Sequence, residues 1–132
     1  MSVIKILKSF RNVAMVGVSA NPDKPSNKVF QYLTENGYHV IPVNPTIGEV
    51  DGKKCYANLS AIPQKVEVVD IFRRSEDVPP IVDEAIKIGA KAIWMQEGII
   101  NNSAAEKAQS AGLLVVMDKC MRKEHIRLVE NE

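Results

Sequence analysis

The chain has 132 residues, of which 45% are hydrophobic and 25% are charged, a composition typical of one soluble globular domain. Its formal net charge of +1 excludes the strong basic field of a non-specific nucleic-acid binder. No apolar run reaches the roughly 18 residues that a membrane span needs, and no secretion signal is visible at the N-terminus. Cys55 and Cys120 form no CxxC pair, so we predict a single domain over residues 1–132 in a reducing cytoplasm.

Helical and strand patterns alternate along the chain. The amphipathic residues 2–10 predict a leading helix. Five short apolar runs, rich in β-branched residues, then predict buried strands over residues 13–18, 40–43, 66–72, 92–95 and 113–117. Residues 44–63 hold several Gly and Pro without a full helical period, so we expect an ordered loop there with a short helix near Leu59.

Three further helices are predicted between the strands. Ser26 or Asn27 begins the first, which runs to Gly37. The second covers about 76–88, where Ser75 provides a cap, the apolar stripe includes Val78, and Gly89 marks the end. The third is capped by Asn102 or Ser103, packs its alanines against the sheet and stops before Gly112.

Such alternation with short connections predicts the α/β class: a single Rossmann-like three-layer domain with a mainly parallel five-stranded sheet and right-handed crossovers. In open parallel sheets, ligands bind beyond the carboxyl ends of the strands, where the strand order reverses next to the first strand. The loops that follow the strands are therefore the places to look for a site.

The loop after the first strand has the character of a phosphate-binding turn. Gly17 permits close backbone approach, Ser19 offers a hydroxyl, and the following helix presents free N–H groups. The three glycines of the GxGxxG fingerprint are nevertheless absent, and the second strand ends in Asn44 and Pro45 rather than an acid for ribose hydroxyls. A tight turn with a helix cap explains the GxS spacing equally well.

Charged and polar residues at the other strand ends are candidates for ligand contact, and each also has an ordinary explanation. Lys24 and Lys28 flank the helix start, where they either neutralise phosphates or remain solvated charges. Arg73 and, less favoured, Arg74 either grip a phosphate or pair with the acids at 76 and 77. Gln96 either binds a ligand amide or holds a loop backbone.

Catalytic and metal-binding constellations are weak in this sequence. His39 is expected at the amino end of the sheet, too far from Ser19 to act as its base, and His125 is interpreted as structural. Cys120 and His125 lack further ligands for zinc. Asp70, inside the third predicted strand, is expected to accept hydrogen bonds, and Cys120 is most simply a buried, unreactive thiol.

Several motifs in register over roughly residues 4–128 resemble the small CoA-binding domain proteins, relatives of the N-terminal domain of the succinyl-CoA synthetase α subunit. The segments that carry the resemblance are VGVSANPDKPSNKV, VIPVNPT, VDIFRRSEDVPPIVDEA, IWMQEGIIN and DKCMRKEH. This resemblance implies a Rossmann-like fold that holds coenzyme A across the crevice, with the diphosphate near the first loop. The candidate CoA-binding residues are Gly17, Ser19, Ala20, Asn21, Lys24, Lys28, Val43, Asn44, Pro45, Phe72, Arg73, Arg74, Val78, Gln96 and Gly98.

The leading hypothesis is a module that binds CoA or acyl-CoA without evident catalysis by itself. Two other classes remain open: a small enzyme that acts on a CoA thioester or disulfide through Cys120, and a subunit that supplies a CoA site to a ligase-like partner chain. An NAD(P)-type dinucleotide-binding regulator is a further alternative, because a fold does not fix a function. Apolar residues of the N-terminal segment, among them Leu7 and Phe10, either cap the sheet edge or pair two copies into a homodimer.

Overall fold

A five-stranded parallel sheet forms the centre of the protein, whose computed structural model describes residues 2–130. The strands in chain order are β1 (Asn12–Val16), β2 (His39–Val43), β3 (Glu49–Val50), β4 (Lys53–Lys54), β5 (Val68–Ile71), β6 (Ala92–Met95) and β7 (Leu114–Val116). The main sheet has the order β2-β1-β5-β6-β7, which confirms the predicted α/β class. Residues 1, 131 and 132 of the predicted domain lie outside the described part.

Helices cover both faces of this sheet. They are α1 (Ser2–Ser9), α2 (Pro25–Glu35), α3 (Val78–Lys87), α4 (Asn102–Ser110) and α5 (Met121–His125), with short 3₁₀ turns at Leu59–Ala61 and Ser75–Asp77 and a π-helical turn at Ile126–Glu130. Helices α1, α2 and α5 close one apolar core, and α3 and α4 close the other. Alternate residues of β1 contribute to the two cores: Val13 and Met15 to the first, Ala14 to the second. The prediction of a strand buried on both faces is thus confirmed.

The strand order reverses between β1 and β5. From β1 the chain crosses to β2 on one side and later returns to β5 on the other, so the loops after these two strands diverge. This is the topological switch point that α/β sheets use for ligands. His39, which pairs with Asn12 at the start of β1, lies at the opposite, amino edge as expected.

The helix starts differ from the predicted ones. Helix α2 begins at Pro25, because proline suits the first turn, while the predicted starts Ser26 and Asn27 are buried and bond the preceding loop. Helix α4 is capped by Asn101, one residue before the predicted cap, through its side chain and the N–H of Ala104.

Ser75 also departs from its predicted role. It does not cap α3, which follows a 3₁₀ turn and has Asp77 at its N-cap position without a side-chain cap bond. The Ser75 hydroxyl instead accepts a hydrogen bond from the N–H of Ile100, 3.0 Å away. It therefore ties the loop before α4 to the loop after β5.

The segment after β2 contains the predicted short helix, seen as the turn Leu59–Ala61, and also an unpredicted hairpin of β3 and β4. Asp51 and Gly52 form its turn, both with positive φ, of 48° and 80°. An Asp-Gly pair is a strong hairpin signal, so the sequence did carry the information. Near the N-terminus, helix α1 packs on the edge strand β7 of the main sheet. Leu7 is buried in this contact, so of its two predicted roles it takes that of covering the sheet edge.

Asp70 overturns an expectation. It lies in β5 between Met15 and Trp94 of the neighbouring strands and is completely buried. Neither carboxyl oxygen has a hydrogen-bond partner among the described residues, whereas the sequence predicted that it would accept such bonds. Burial raises the pKa of Asp70 well above its ordinary value, because an unpaired charge in an apolar core is poorly solvated.

The raised pKa of Asp70 predicts a pH-dependent stability. The folded chain holds this proton above pH 3.8, the ordinary pKa, while the unfolded chain releases it. The free energy of unfolding should therefore fall as pH rises, by up to about 1.4 kcal/mol per pH unit between the unfolded and folded pKa values. Asp70→Asn removes this titration, so its stability relative to the wild type should increase with pH in urea unfolding series.

Asp23→Asn is the matched control, because Asp23 is exposed in the loop before α2. Its unfolding free energy should run parallel to that of the wild type across the same pH range. A constant difference between Asp70→Asn and the wild type from pH 4 to pH 8 would contradict a protonated, buried Asp70.

Candidate functional site

The turn after β1 is pressed against the end of β5. Gly17 has a φ of +90°, and its N–H donates to the carbonyl oxygen of Val43, 2.9 Å away. A Cβ atom built at this position would collide with the carbonyl oxygen of Phe72 and lie 2.8 Å from Cδ of Arg73. Glycine is thus required by the protein's own backbone, in addition to any approach of a ligand.

The rest of this loop is held by side chains of α2. The hydroxyl of Ser26 accepts from the N–H of Ser19 at 2.9 Å, and the amide of Asn27 donates to the carbonyl of Ser19 at 2.8 Å. The Ser19 hydroxyl accepts from the N–H of Asn21 and donates to no described residue. These hydrogen bonds fix the loop within the protein, and the hydroxyl proton of Ser19 is available to an acceptor.

Asn44 joins the loops that follow β1 and β2. Its amide nitrogen donates to the carbonyl of Val18 at 3.0 Å, and its amide oxygen accepts from both the N–H and the hydroxyl of Thr46. Asn44 is thereby committed to loop structure. The position where a dinucleotide-binding domain carries an acid holds a bonded amide instead.

Two cavities of the described part of the chain open at the carboxyl edge of the sheet, one beside α3 and the other beside α2. The α3-side cavity has a volume of about 330 Å³, and its walls include Val16, Gly17, Val43, Pro45, Asn58, Arg73, Ile81 and Glu84. The α2-side cavity has a volume of about 420 Å³ and is lined by Pro25, Val29, Phe72, Arg73, Gln96, Glu97, Ile99 and Cys120. Each lies within the size range of small-molecule sites.

Arg73 lines both cavities. Its side chain is 43% exposed, and its guanidinium lies 3.8 Å from a carboxylate oxygen of Asp77, a long ion pair. Arg74 is instead turned outward: its side chain is 74% exposed and pairs with Asp77 at 3.2 Å and with Glu76 at 3.7 Å. The hydrogen bond and charge of Asp77, followed by the charge of Glu76, raise the pKa of Arg74. Of the two arginines, only Arg73 lines the crevice.

The far wall of the α2-side cavity is braced by two strand ends. The buried Gln96 follows β6, and its amide oxygen accepts from the N–H of Met121 at 3.2 Å. Asp118 follows β7 and accepts from the N–H of Gly98 at 2.7 Å. The indole N–H of Trp94 donates to the carbonyl of Lys119 at 2.8 Å, so this wall is rigidly positioned.

The structure brings only part of the predicted site residues onto the cavity walls. Those on the walls are Gly17, Val43, Pro45, Phe72, Arg73 and Gln96. Neither cavity wall includes Ser19, Ala20, Asn21, Lys24 and Lys28 of the first loop and the start of α2, Asn44 after β2, or Gly98 after β6. Val78 is completely buried in the α3-side core, and Arg74 points away.

Sequence reasoning missed the wall formed by the loop after the hairpin. Asn58 caps the 3₁₀ turn by accepting from the N–H of Ala61, and Glu84 of α3 accepts from the N–H groups of Leu59 and Ser60. Nothing local marks Glu84 as a partner of a loop 24 residues away in sequence. The cap at Asn58 was readable, because Asn preceding a short helix is a common start signal.

His125 lies inside the protein and is bonded to an aromatic side chain. His125 is buried, with Nδ1 2.7 Å from the hydroxyl of Tyr32 and its ring edge-on to Tyr32 and Tyr38. Residues 2–130 contain no group of three His, Cys, Asp or Glu side chains placed to hold a metal ion. Within the same range, no helix has the length and apolar character to cross a membrane.

Comparison with known protein families identifies the family of this chain. The family described as the CoA binding domain matches residues 11–126, which is nearly the whole chain. The chain belongs to the CoA-binding domain family. The protein YneT of Bacillus subtilis is 36% identical over 121 residues, which cover 92% of this chain and 90% of YneT.

The proteins to which this chain is similar differ greatly in length. A hypothetical protein from Pyrococcus horikoshii has a solved structure that is 44% identical to this chain, with a TM-score of 0.93, and the match covers 96% of this chain and 89% of that one. Acetate–CoA ligase (ADP-forming) II of Archaeoglobus fulgidus is 30% identical over 83 residues, which are 61% of this chain but 12% of the ligase. The domain thus resembles both small proteins and a segment of a much larger enzyme.

The close packing at Gly17 makes a stability prediction. Gly17→Ala should lower the free energy of unfolding by about 2–4 kcal/mol, because it combines an unfavourable φ with a backbone collision. Gly48→Ala is the matched control, since a Cβ there meets no atom within 4 Å, and it should stay within about 1 kcal/mol of the wild type. Chemical denaturation of the three proteins decides it: equal losses in both variants would refute the close approach.

Proposed function

We propose that this chain binds CoA, free or acylated, across the carboxyl edge of its sheet, and that it does not turn the ligand over by itself. The observation that carries this proposal is the pair of cavities that meet at Arg73, at the β1/β5 switch point of a CoA-binding domain family member. CoA is a long ligand with an anionic centre and two chemically different ends. A divided crevice with a cation at its junction suits such a ligand.

The junction is suited to the diphosphate of CoA. A guanidinium binds phosphate oxygens through two parallel hydrogen bonds, and the long 3.8 Å contact of Arg73 with Asp77 leaves its donors available. Lys24 and Lys28 are exposed at the start of α2, which directly follows the first loop in sequence, and add positive charge there. The hydroxyl proton of Ser19 can supply one more hydrogen bond.

The two cavities suit the two ends of the ligand. Val16, Val43 and Ile81 give the α3-side cavity apolar walls on which an adenine ring can pack. The α2-side cavity combines Val29, Phe72 and Ile99 with the polar Gln96, which matches the alternating methylene and amide groups of the pantetheine arm. This assignment keeps the diphosphate between the cavities, beside Arg73.

A dinucleotide such as NAD is less well supported. The turn after β1 contains Gly17 alone, and its missing side chain makes room for Phe72. Asn44 is bonded to Val18 and Thr46, and no acid stands at its position to bind ribose hydroxyls.

Binding without turnover is supported by the placement of the histidines, which are the commonest general bases. His39 lies at the amino edge of the sheet, and Nδ1 of His125 is bonded to Tyr32. Neither imidazole lines the α3-side or the α2-side cavity.

Arg73→Gln tests the proposed site. Loss of charge-assisted hydrogen bonds to the diphosphate should weaken CoA binding ten- to a hundred-fold, corresponding to about 1.5–3 kcal/mol. Arg74→Gln is the matched control, because the neighbouring side chain carries the same charge but points away from both cavities. Its dissociation constant should stay within about three-fold of the wild type in calorimetric titrations at fixed salt.

The same titrations separate the ligand classes. Melting temperatures measured with CoA, acetyl-CoA, NAD, NADP and ATP should rise selectively with the two CoA compounds. Stabilisation by NAD or NADP alone would reject CoA as the ligand. Equal losses of CoA affinity in the two arginine variants would reject the placement of the diphosphate beside Arg73.

A second candidate function, the supply of a CoA site to a separately encoded ligase-like chain, is favoured by one comparison. The matching segment of the Archaeoglobus ligase is part of an enzyme in which it covers 12% of the length. Purification of the tagged protein from its own cells, followed by mass spectrometry, should then recover a ligase-like chain in stoichiometric amount. Recovery of the tagged chain alone would count against this second function and leave the first intact.

A further inference from the structure

The two cysteines of this chain are buried to the same extent but differ in what they face. Cys55 is 7% exposed and Cys120 is 8% exposed. Sγ of Cys55 lies 3.7 Å from the carbonyl oxygen of Asn44, and Cys55 lines neither of the two cavities at the sheet edge. Cys120 lines the α2-side cavity. Of the two thiols, that of Cys120 therefore belongs to the wall of a cavity of about 420 Å³ at the sheet edge.

A second polar group in the same cavity lacks a partner. Gln96 is 4% exposed, and its amide oxygen accepts from the N–H of Met121. Since that N–H can only donate, the orientation of the amide is fixed, and Nε2 is the group left for the cavity. Nε2 makes no hydrogen bond within the described part of the chain. Because Nε2 keeps access to the open cavity, a ligand's carbonyl oxygen can replace water as its acceptor, so its position suits a ligand that carries one.

We propose that the α2-side cavity receives the thiol end of CoA and that Cys120 captures it covalently, as a mixed disulfide, when CoA arrives in disulfide form. This inference rests on the proposed function, because it needs the diphosphate beside Arg73. From that point the arm runs along Phe72 towards Cys120, and Gln96 Nε2 donates to an amide carbonyl of the arm. The chain then stores CoA and protects its thiol.

The covalent step is a thiol–disulfide exchange and needs no further oxidant. The thiolate of Cys120 attacks one sulfur of a CoA disulfide, the new sulfur–sulfur bond forms as the old one breaks, and the second CoA leaves as a thiolate. The proton lost by Cys120 goes to water, and the released thiolate takes up a proton in turn. A second thiol that attacks the mixed disulfide returns CoA and free Cys120.

Intact-mass spectrometry under non-reducing conditions tests the proposal on the full chain. After incubation with CoA disulfide, the wild type should gain the mass of one CoA less two hydrogens, and peptide mapping should place it on Cys120. Cys55→Ser should give the same adduct. Cys120→Ser and Cys120→Ala should give none, while desulfo-CoA, which lacks the thiol, still raises their melting temperature.

Recognition is separated from simple thiol reactivity by a neutral small disulfide. Hydroxyethyl disulfide has no nucleotide or pantetheine arm, so it should modify Cys120 at least ten-fold more slowly than CoA disulfide at equal concentration. Desulfo-CoA should compete with CoA disulfide for the site. Equal rates with both disulfides, or an adduct on Cys55, would overturn the proposed capture.

The role of Gln96 has its own readout. Gln96→Glu keeps the acceptor for Met121 but removes the amide donor, so adduct formation with CoA disulfide should slow by about five-fold or more. The readout is the ratio of the rates with CoA disulfide and hydroxyethyl disulfide, because a carboxylate at this buried position also affects the stability of the free protein and the reactivity of Cys120 towards both disulfides. A parallel loss with both disulfides would assign Gln96 to structure alone.

Failure of the capture and failure of the proposed function give different results. If desulfo-CoA stabilises the wild type but CoA disulfide leaves no adduct, the covalent step is wrong and the binding function stands. If desulfo-CoA gives no stabilisation either, the proposed function is itself rejected.

Discussion

The contact between the turn after β1 and the end of β5 sets the geometry of the whole crevice. Gly17 brings the two backbones together at the switch point, where its N–H bonds the end of β2 and the N–H of Phe72 bonds the carbonyl of Val16. The sheet's hydrogen bonding therefore continues to its very edge on both sides of β1. Arg73 follows Phe72 directly and lines both cavities. The same contact therefore fixes the backbone position from which the Arg73 side chain extends.

Buried polar side chains then hold the loops around this contact. Ser26 and Asn27 hold Ser19, and Gln96 holds the start of α5. Hydrogen bonds offset the cost of burying a polar group, and for these three side chains the partners are loop backbones. Loops that are ordered before a ligand arrives reduce the entropic cost of binding. The crevice of this CoA-binding domain family member is thus largely organised by its own side chains.

These same residues show what the sequence could and could not predict. The five main strands and the sheet edge at which the two cavities lie followed from apolar runs and from the switch-point rule, because both depend on local pattern and topology. Ser26 and Ser75 were mistaken for helix caps, since a hydroxyl serves a cap and a distant loop equally well. The presence of two separate cavities depends on the direction in which each side chain points, which the sequence does not give. Glu84 belongs to the wall of the α3-side cavity through a hydrogen bond to Leu59, and no local sequence pattern marks that contact.

Asp70 and Arg73 show how differently one strand and its following loop treat charge. Asp70 is buried in the core with no hydrogen-bond partner among residues 2–130, and its raised pKa follows from that burial. Three residues later, the Arg73 side chain is partly exposed to solvent and lines two cavities. An ionisable side chain that is confined to the core cannot contact a ligand. A charged side chain that follows the end of the strand can contact a ligand while it remains partly hydrated. The buried, protonated carboxyl of Asp70 and the exposed guanidinium of Arg73 just beyond β5 therefore put the positive charge at the edge of the sheet and leave its interior uncharged at this point.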